Sequence, residues 1–135
     1  MRQAERRWGG HVRDGGDAQL LAGDTLLHTT LTPDDLLVTG SRTHLVGWSQ
    51  PTRGAAWIDP ALLILRLMDA GHTARDADLW ARAHFPSWAA APDTAVTVFS
   101  EANSYVWGMI AGDNPTESNE RTARSAGQWA RYLRP

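Results

Sequence analysis

The pattern of apolar and polar residues divides the chain at Asp59-Pro60. Ahead of it the apolar runs are short. Thr25–His28 is one, and Leu36–Val38 and Thr43–Val46 flank the turn Thr39-Gly40-Ser41-Arg42, a spacing that predicts a hairpin. Behind it the period becomes helical. Leu62, Leu63, Ile64, Leu65, Leu67 and Met68 make a run apolar on nearly all sides, opened by Asp59-Pro60 and stopped by Gly71, which predicts a buried central helix. Thr73, with Asp76 three residues on, is the expected cap of a second helix ending near Phe85-Pro86. Ala95, Val98/Phe99, Ala102, Tyr105/Val106 and Met109/Ile110 recur every three or four residues and predict a third helix, ended by Gly112. Asn114-Pro115-Thr116-Glu117 predicts the start of a fourth, with Ala123, Ala126, Trp129/Ala130 and Leu133 inward. The expected fold class is mainly α with a small β-hairpin, in one domain over 1–135, with residues 1–16 a flexible, charged and glycine-rich lead-in.

Composition narrows the chemistry. A net charge of −2 over 135 residues predicts neither a nucleic-acid footprint nor a polybasic membrane patch. No apolar run approaches the length of a transmembrane helix, and MRQAERRWGG lacks the apolar core of a secretory signal, so a soluble cytoplasmic protein is expected. Cysteine is absent, which removes disulfides, thiolate nucleophiles and Cys metal sites. All 13 basic residues are Arg, so no Lys within the chain can form a Schiff base or grip a phosphate.

His28, Asp34 and Asp35 lie close together around a turn between short strands. A His with two carboxylates suits a metal or acid–base site; equally, His28 suits a buried structural position and the aspartates a solvated turn. The wider stretches LLHTTLTPDDLLV (26–38) and THLVGWSQPTRGAAWIDP (43–60) resemble the catalytic loop and metal-binding turn of the aminoglycoside phosphotransferase family, which has a protein-kinase-like fold. The family's loop runs His, any residue, Asp, Leu, three residues, Asn, then an apolar strand. His28, Leu31, Leu36 and Leu37 fit; the catalytic Asp falls on Thr30 and the metal-binding Asn on Asp35. One hairpin later Leu45, Val46 and Trp48 fit, while the metal-binding Asp falls on Gly47. Asp59-Pro60 matches the pair that opens the buried helix of the family's C-terminal lobe, giving Asp59 a structural role. The likeness covers roughly residues 20–110 and implies the C-lobe of a protein-kinase-like fold.

What the resemblance implies for activity is loss. Thr30 has no base of useful pKa, and losing a general base typically slows a reaction about 10²–10⁴-fold. Gly47 offers no ligand to the metal that neutralises transferring phosphate, whereas Asp35 can still bind Mg²⁺ as Asn does. Residues 1–25 are too few for the family's nucleotide-covering N-lobe, and no Gly-rich phosphate loop follows a strand. The expected function is therefore a degenerate, pseudokinase-like relative acting as a binding module or truncated product, with no cofactor. Self-association, or a partner chain over the missing N-lobe face, is expected from an apolar patch around His28, Leu31 and Trp48. The alternative is a working Mg-ATP-dependent phosphotransferase of an aminoglycoside or similar hydroxylated molecule, with a partner-supplied N-lobe and Asp34 or Asp35 as base or metal ligand.

Other candidates carry bland readings beside sharp ones. The tryptophans 48, 57, 80, 88, 107 and 129 suit core anchors or a groove lining. Asp69, Asp76 and Asp78 suit a solvated helix face or, by the resemblance, a cationic acceptor's site. Arg53 suits loop support or an anion. His11, His44, His72 and His84 show no ligand spacing.

Overall fold

The computed structural model, which describes residues 1–135, is mainly helical with two small sheets. Its central helix is α2 (Ile58–Asp69), which buries Ile58, Ala61, Leu62, Ile64, Leu65 and Met68. The helix stops at Gly71, whose φ of 107° only glycine adopts at low cost. The Gly71 amide donates to Met68 O (2.9 Å) and the His72 amide to Leu67 O (3.1 Å), closing a Schellman motif. α3 (Ala74–His84) begins as expected, the Thr73 hydroxyl accepting from the Asp76 amide at 3.1 Å. α4 (Pro86–Ala89) is a single turn that plants Trp88 in the core.

The last two helices depart from the expected boundaries. α5 spans Asp93–Asp113, so Gly112 lies inside it, and α6 (Glu117–Leu133) is capped by Thr116, not Asn114. The inward stripe of α5 is Ala95, Val96, Phe99, Ser100, Ala102 and Asn103, while Tyr105, Met109 and Ile110 are exposed. In α6, Thr122 and Ser125 point inward beside Ala126 and Trp129, because both hydroxyls donate to the Asp69 carboxylate at 2.7 Å. Small polar residues thus occupy interior positions that an apolar count assigns to the surface. Asp78 is buried in the same way and accepts from Trp88 Nε1 (2.8 Å), Arg82 Nε (2.9 Å) and the Tyr132 hydroxyl (2.8 Å). Asp69 and Asp78 are therefore ties between helices rather than acceptor-binding groups; Asp76 is exposed.

The core gathers around Phe99, which meets Trp8, Trp57 and Trp129 edge-on at centroid separations of 5.0, 5.6 and 6.3 Å. Trp8 corrects the expectation for residues 1–16. The segment forms β1 (Arg2–Gln3) and the single-turn α1 (Ala4–Arg7); Ala4 is 0% and Trp8 2% exposed. Four residues apart, they share one face of that turn, a signal hidden among charged neighbours. β1 runs parallel to β5 (Thr52–Gly54), and β5 antiparallel to β2 (Thr25–Leu27). The expected hairpin is present as β3 (Leu36–Thr39) and β4 (Arg42–Leu45), with Leu36 opposite Leu45 and Thr39 opposite Arg42. No helix is long and apolar enough to cross a membrane.

Candidate functional site

The loop 28–35 leaves β2 and enters β3 through a short 3₁₀ turn at Pro33–Asp35. It turns on two residues in the left-handed region, Thr29 (φ 70°) and Leu31 (φ 45°). For a β-branched residue that conformation costs about 1–2 kcal/mol and persists only where the surroundings over-determine it. Here they do. The Asp59 carboxylate at the start of α2 accepts from the His28 amide (2.7 Å, Oδ2) and the Thr29 amide (2.9 Å, Oδ1). The Thr29 hydroxyl donates to Gln50 O (3.0 Å) and accepts from Arg7, which also reaches the Thr52 hydroxyl at 3.2 Å. From α2, Arg66 closes a fork on Thr30 O with Nε at 3.2 Å and Nη2 at 2.9 Å.

His28 is 0% exposed and its ring is fully used. Nε2 lies 2.7 Å from Val46 O, and Nδ1 lies 3.1 Å from the Leu31 amide. These partners assign the neutral tautomer with the proton on Nε2, leaving Nδ1 to accept. The ring thereby ties the loop to the segment that follows the hairpin, and its edge packs on Trp48 at 4.8 Å. Both ring nitrogens are thus engaged in holding the loop.

Asp35 gathers donors. Its Oδ2 accepts from the Thr30 hydroxyl (3.0 Å), the Thr32 amide (2.9 Å) and the Thr32 hydroxyl (3.0 Å). Burial raises the carboxyl pKa, but these bonds from Thr32 and Thr30 outweigh it and hold the group below its ordinary value. A carboxyl depressed on folding contributes stability above its unfolded pKa of about 3.9 and loses it as pH falls through the lower folded value. Wild type is therefore expected to be more stable than Asp35→Asn in urea unfolding at neutral pH, with the margin closing below about pH 4. A margin constant from pH 7 to pH 3 would show that the charge is not what the loop recognises.

Gly47 has φ 69°, and a Cβ there would lie 2.2 Å from Asp35 Oδ1. The structure thus brings together Thr30, His28, Asp35, Gly47 and Asp59, all singled out by the sequence pattern. It leaves out Asp34, which is exposed in the 3₁₀ turn, and Arg53, exposed on β5. No three His, Asp or Glu side chains converge as a metal-ligand set. The Thr30 hydroxyl donates to Asp35 and lies 3.0 Å from His28 Nδ1, so neither side chain leaves it free to act as a base. Arg7 and Arg66 went unnoticed in the sequence, although Arg66 is the one charge within the apolar run 61–68.

The expected apolar patch is displaced. His28 is buried and Leu31 packs against the core, so the exposed surface lies on the hairpin: Leu36, Leu37 and Val38, with Trp48 43% exposed beside them. Trp8, Trp57, Trp88 and Trp129 are core residues, and Trp80, Trp88 and Trp107 each line a different recess rather than one shared groove. Comparison with protein-family models, with curated proteins and with solved structures gave no match.

Proposed function

We propose that this chain is a degenerate phosphotransferase relative, the C-lobe of a protein-kinase-like fold, that binds a protein partner rather than transferring phosphate. One observation carries the reading. Asp59 and His28 clamp a strained loop of the kind that positions a catalytic group, yet the position so held carries Thr30. An elaborate support around a hydroxyl already committed to Asp35 fits a retained scaffold better than a working base. In this reading the partner, or a second copy in the cytoplasm, covers the hairpin, where Leu37 and Val38 are exposed and Val38 is 73% so.

One titration tests this. Thermal unfolding and sedimentation velocity are followed over Mg-ATP concentration, with ATP turnover measured in the same samples. The expected result is no saturable shift, no turnover, and sedimentation that reports association as protein concentration rises. A ligand at 100-fold excess over its Kd stabilises by about 2.7 kcal/mol, so binding cannot go unseen. A saturable shift with turnover ends the degenerate reading, and a strict monomer at high concentration ends the self-association arm.

A further inference from the structure

Two buried side-chain nitrogens lack a hydrogen-bond partner, Trp129 Nε1 and Asn103 Nδ2. Trp129 sits among the rings of Trp88 and Phe99, where no polar group is in reach. Asn103 differs, because it lines a recess of about 60 Å³ between α1, the loop 28–31, α2 and α5, whose remaining walls are largely apolar. The residue is 2% exposed. A buried amide left without a partner asks for an explanation, and an ion or water seated against it is one.

The same recess is lined by two guanidiniums, Arg7 and Arg66, and by no carboxylate. Arg7 has no ion-pair partner anywhere in the chain; its bonded contacts are the hydroxyls of Thr29 and Thr52. The nearby carboxylates are already engaged, Asp59 by two loop amides and Asp69 by two hydroxyls and Arg66. Burial lowers the pKa of both arginines. For Arg7 the charge of Arg2 adds to this and Asp59 only partly offsets it; for Arg66 the offsets come from Asp69 and Asp35. A desolvated guanidinium without a counter-charge is costly, and an anion removes that cost.

We propose that this recess binds a small oxyanion of phosphate size, held by the Arg7 guanidinium and the Asn103 amide with Arg66 at its flank. The volume sets the size class. At about 60 Å³ it has room for a few waters or a small tetrahedral oxyanion and too little for a nucleotide. The inference is independent of the phosphotransferase reading, which rests on the Asp59 and His28 clamps and is tested with Mg-ATP.

The test is a thermal-shift and calorimetric titration of the full chain with inorganic phosphate at fixed ionic strength, chloride being the balancing salt. Glycerol phosphate forms a second arm, which separates a free ion from the terminal group of an ester. The expected result is a saturable rise in Tm with phosphate and none with chloride, the ester binding more weakly because its glycerol does not fit. Asn103→Ala is expected to weaken phosphate binding at least about tenfold, the loss of one hydrogen bond to a charged group. Asn103→Asp places a carboxylate against the two arginines; it is expected to raise Tm without added anion and to abolish the phosphate response. Equal responses to phosphate and chloride overturn the proposal. So does an undiminished phosphate response in both variants, or a fall in Tm on Asn103→Asp.

Discussion

Asp59→Ala is expected to lower the unfolding free energy by about 3–5 kcal/mol, one of the largest effects available to a single substitution outside the aromatic core. The carboxylate accepts two backbone amides, from His28 at 2.7 Å and Thr29 at 2.9 Å. A hydrogen bond to a charged acceptor contributes about 1.5–3 kcal/mol, and a buried donor left unmade adds its own desolvation penalty. His28 and Thr29 are both buried, so water does not readily replace the lost acceptor. The strain at Thr29 works the other way, because a loop freed of these bonds can relax out of the left-handed conformation and recover part of that cost. Asp59→Asn keeps one acceptor oxygen and is expected to lose roughly half as much. Urea unfolding of the three proteins, with the slope compared as a check on two-state behaviour, measures both values. A loss below about 1 kcal/mol for Asp59→Ala would mean that the Arg7 and Arg66 contacts hold the loop unaided.

The features that sequence made legible are those with a short-range signature. The hairpin followed from two β-prone runs around Gly40, and α2 from an Asp-Pro start and a glycine stop. Thr30, Asp35, Gly47 and Asp59, grouped in the sequence only by the family resemblance, lie together, since two short loops and one hairpin leave little freedom in how they meet. The features that stayed hidden depend on partners distant in sequence. Trp8 enters the core through Phe99, 91 positions along the chain. Thr122 and Ser125 face inward because Asp69 waits there, and Asn103 does so because a recess lies beside it. A rule that sends apolar residues inward places each of these at the surface, and sends Tyr105, Met109 and Ile110 into a core that does not reach them. The partners of the His28 ring, Val46 O and the Leu31 amide, are backbone groups and so carry no signal in the sequence.

Gly47→Ala is expected to cost about 2–4 kcal/mol, and the reason bears on whether a metal centre can be built here. Two terms contribute. A left-handed conformation costs a residue with a Cβ about 1–2 kcal/mol, and Gly47 has φ 69°. The second term is specific to the site. The new Cβ would lie 2.2 Å from Asp35 Oδ1, so the carboxylate must move and strain its bonds from Thr30 and Thr32. Gly40 separates the two terms, since its φ is 56° and nothing lies within 4 Å of a Cβ there. Gly40→Ala should therefore lose only the conformational part. In an Asp35→Ala background the penalty of Gly47→Ala should fall to that of Gly40→Ala, and the coupling read from this double-mutant cycle is the contact itself. Equal losses at positions 40 and 47 in the wild-type background would remove the contact from the account. If the contact is real, an Asp introduced at 47 meets Asp35 before it meets any cation. Thr30→Asp with Gly47→Asp would then crowd three carboxylates where one is now held by neutral donors, and the expected result is a less stable protein without Mg²⁺-dependent phosphotransfer. Thr30 and Gly47 thus act together: the hydroxyl and the absent Cβ are what allow the Asp35 carboxylate to sit where it does.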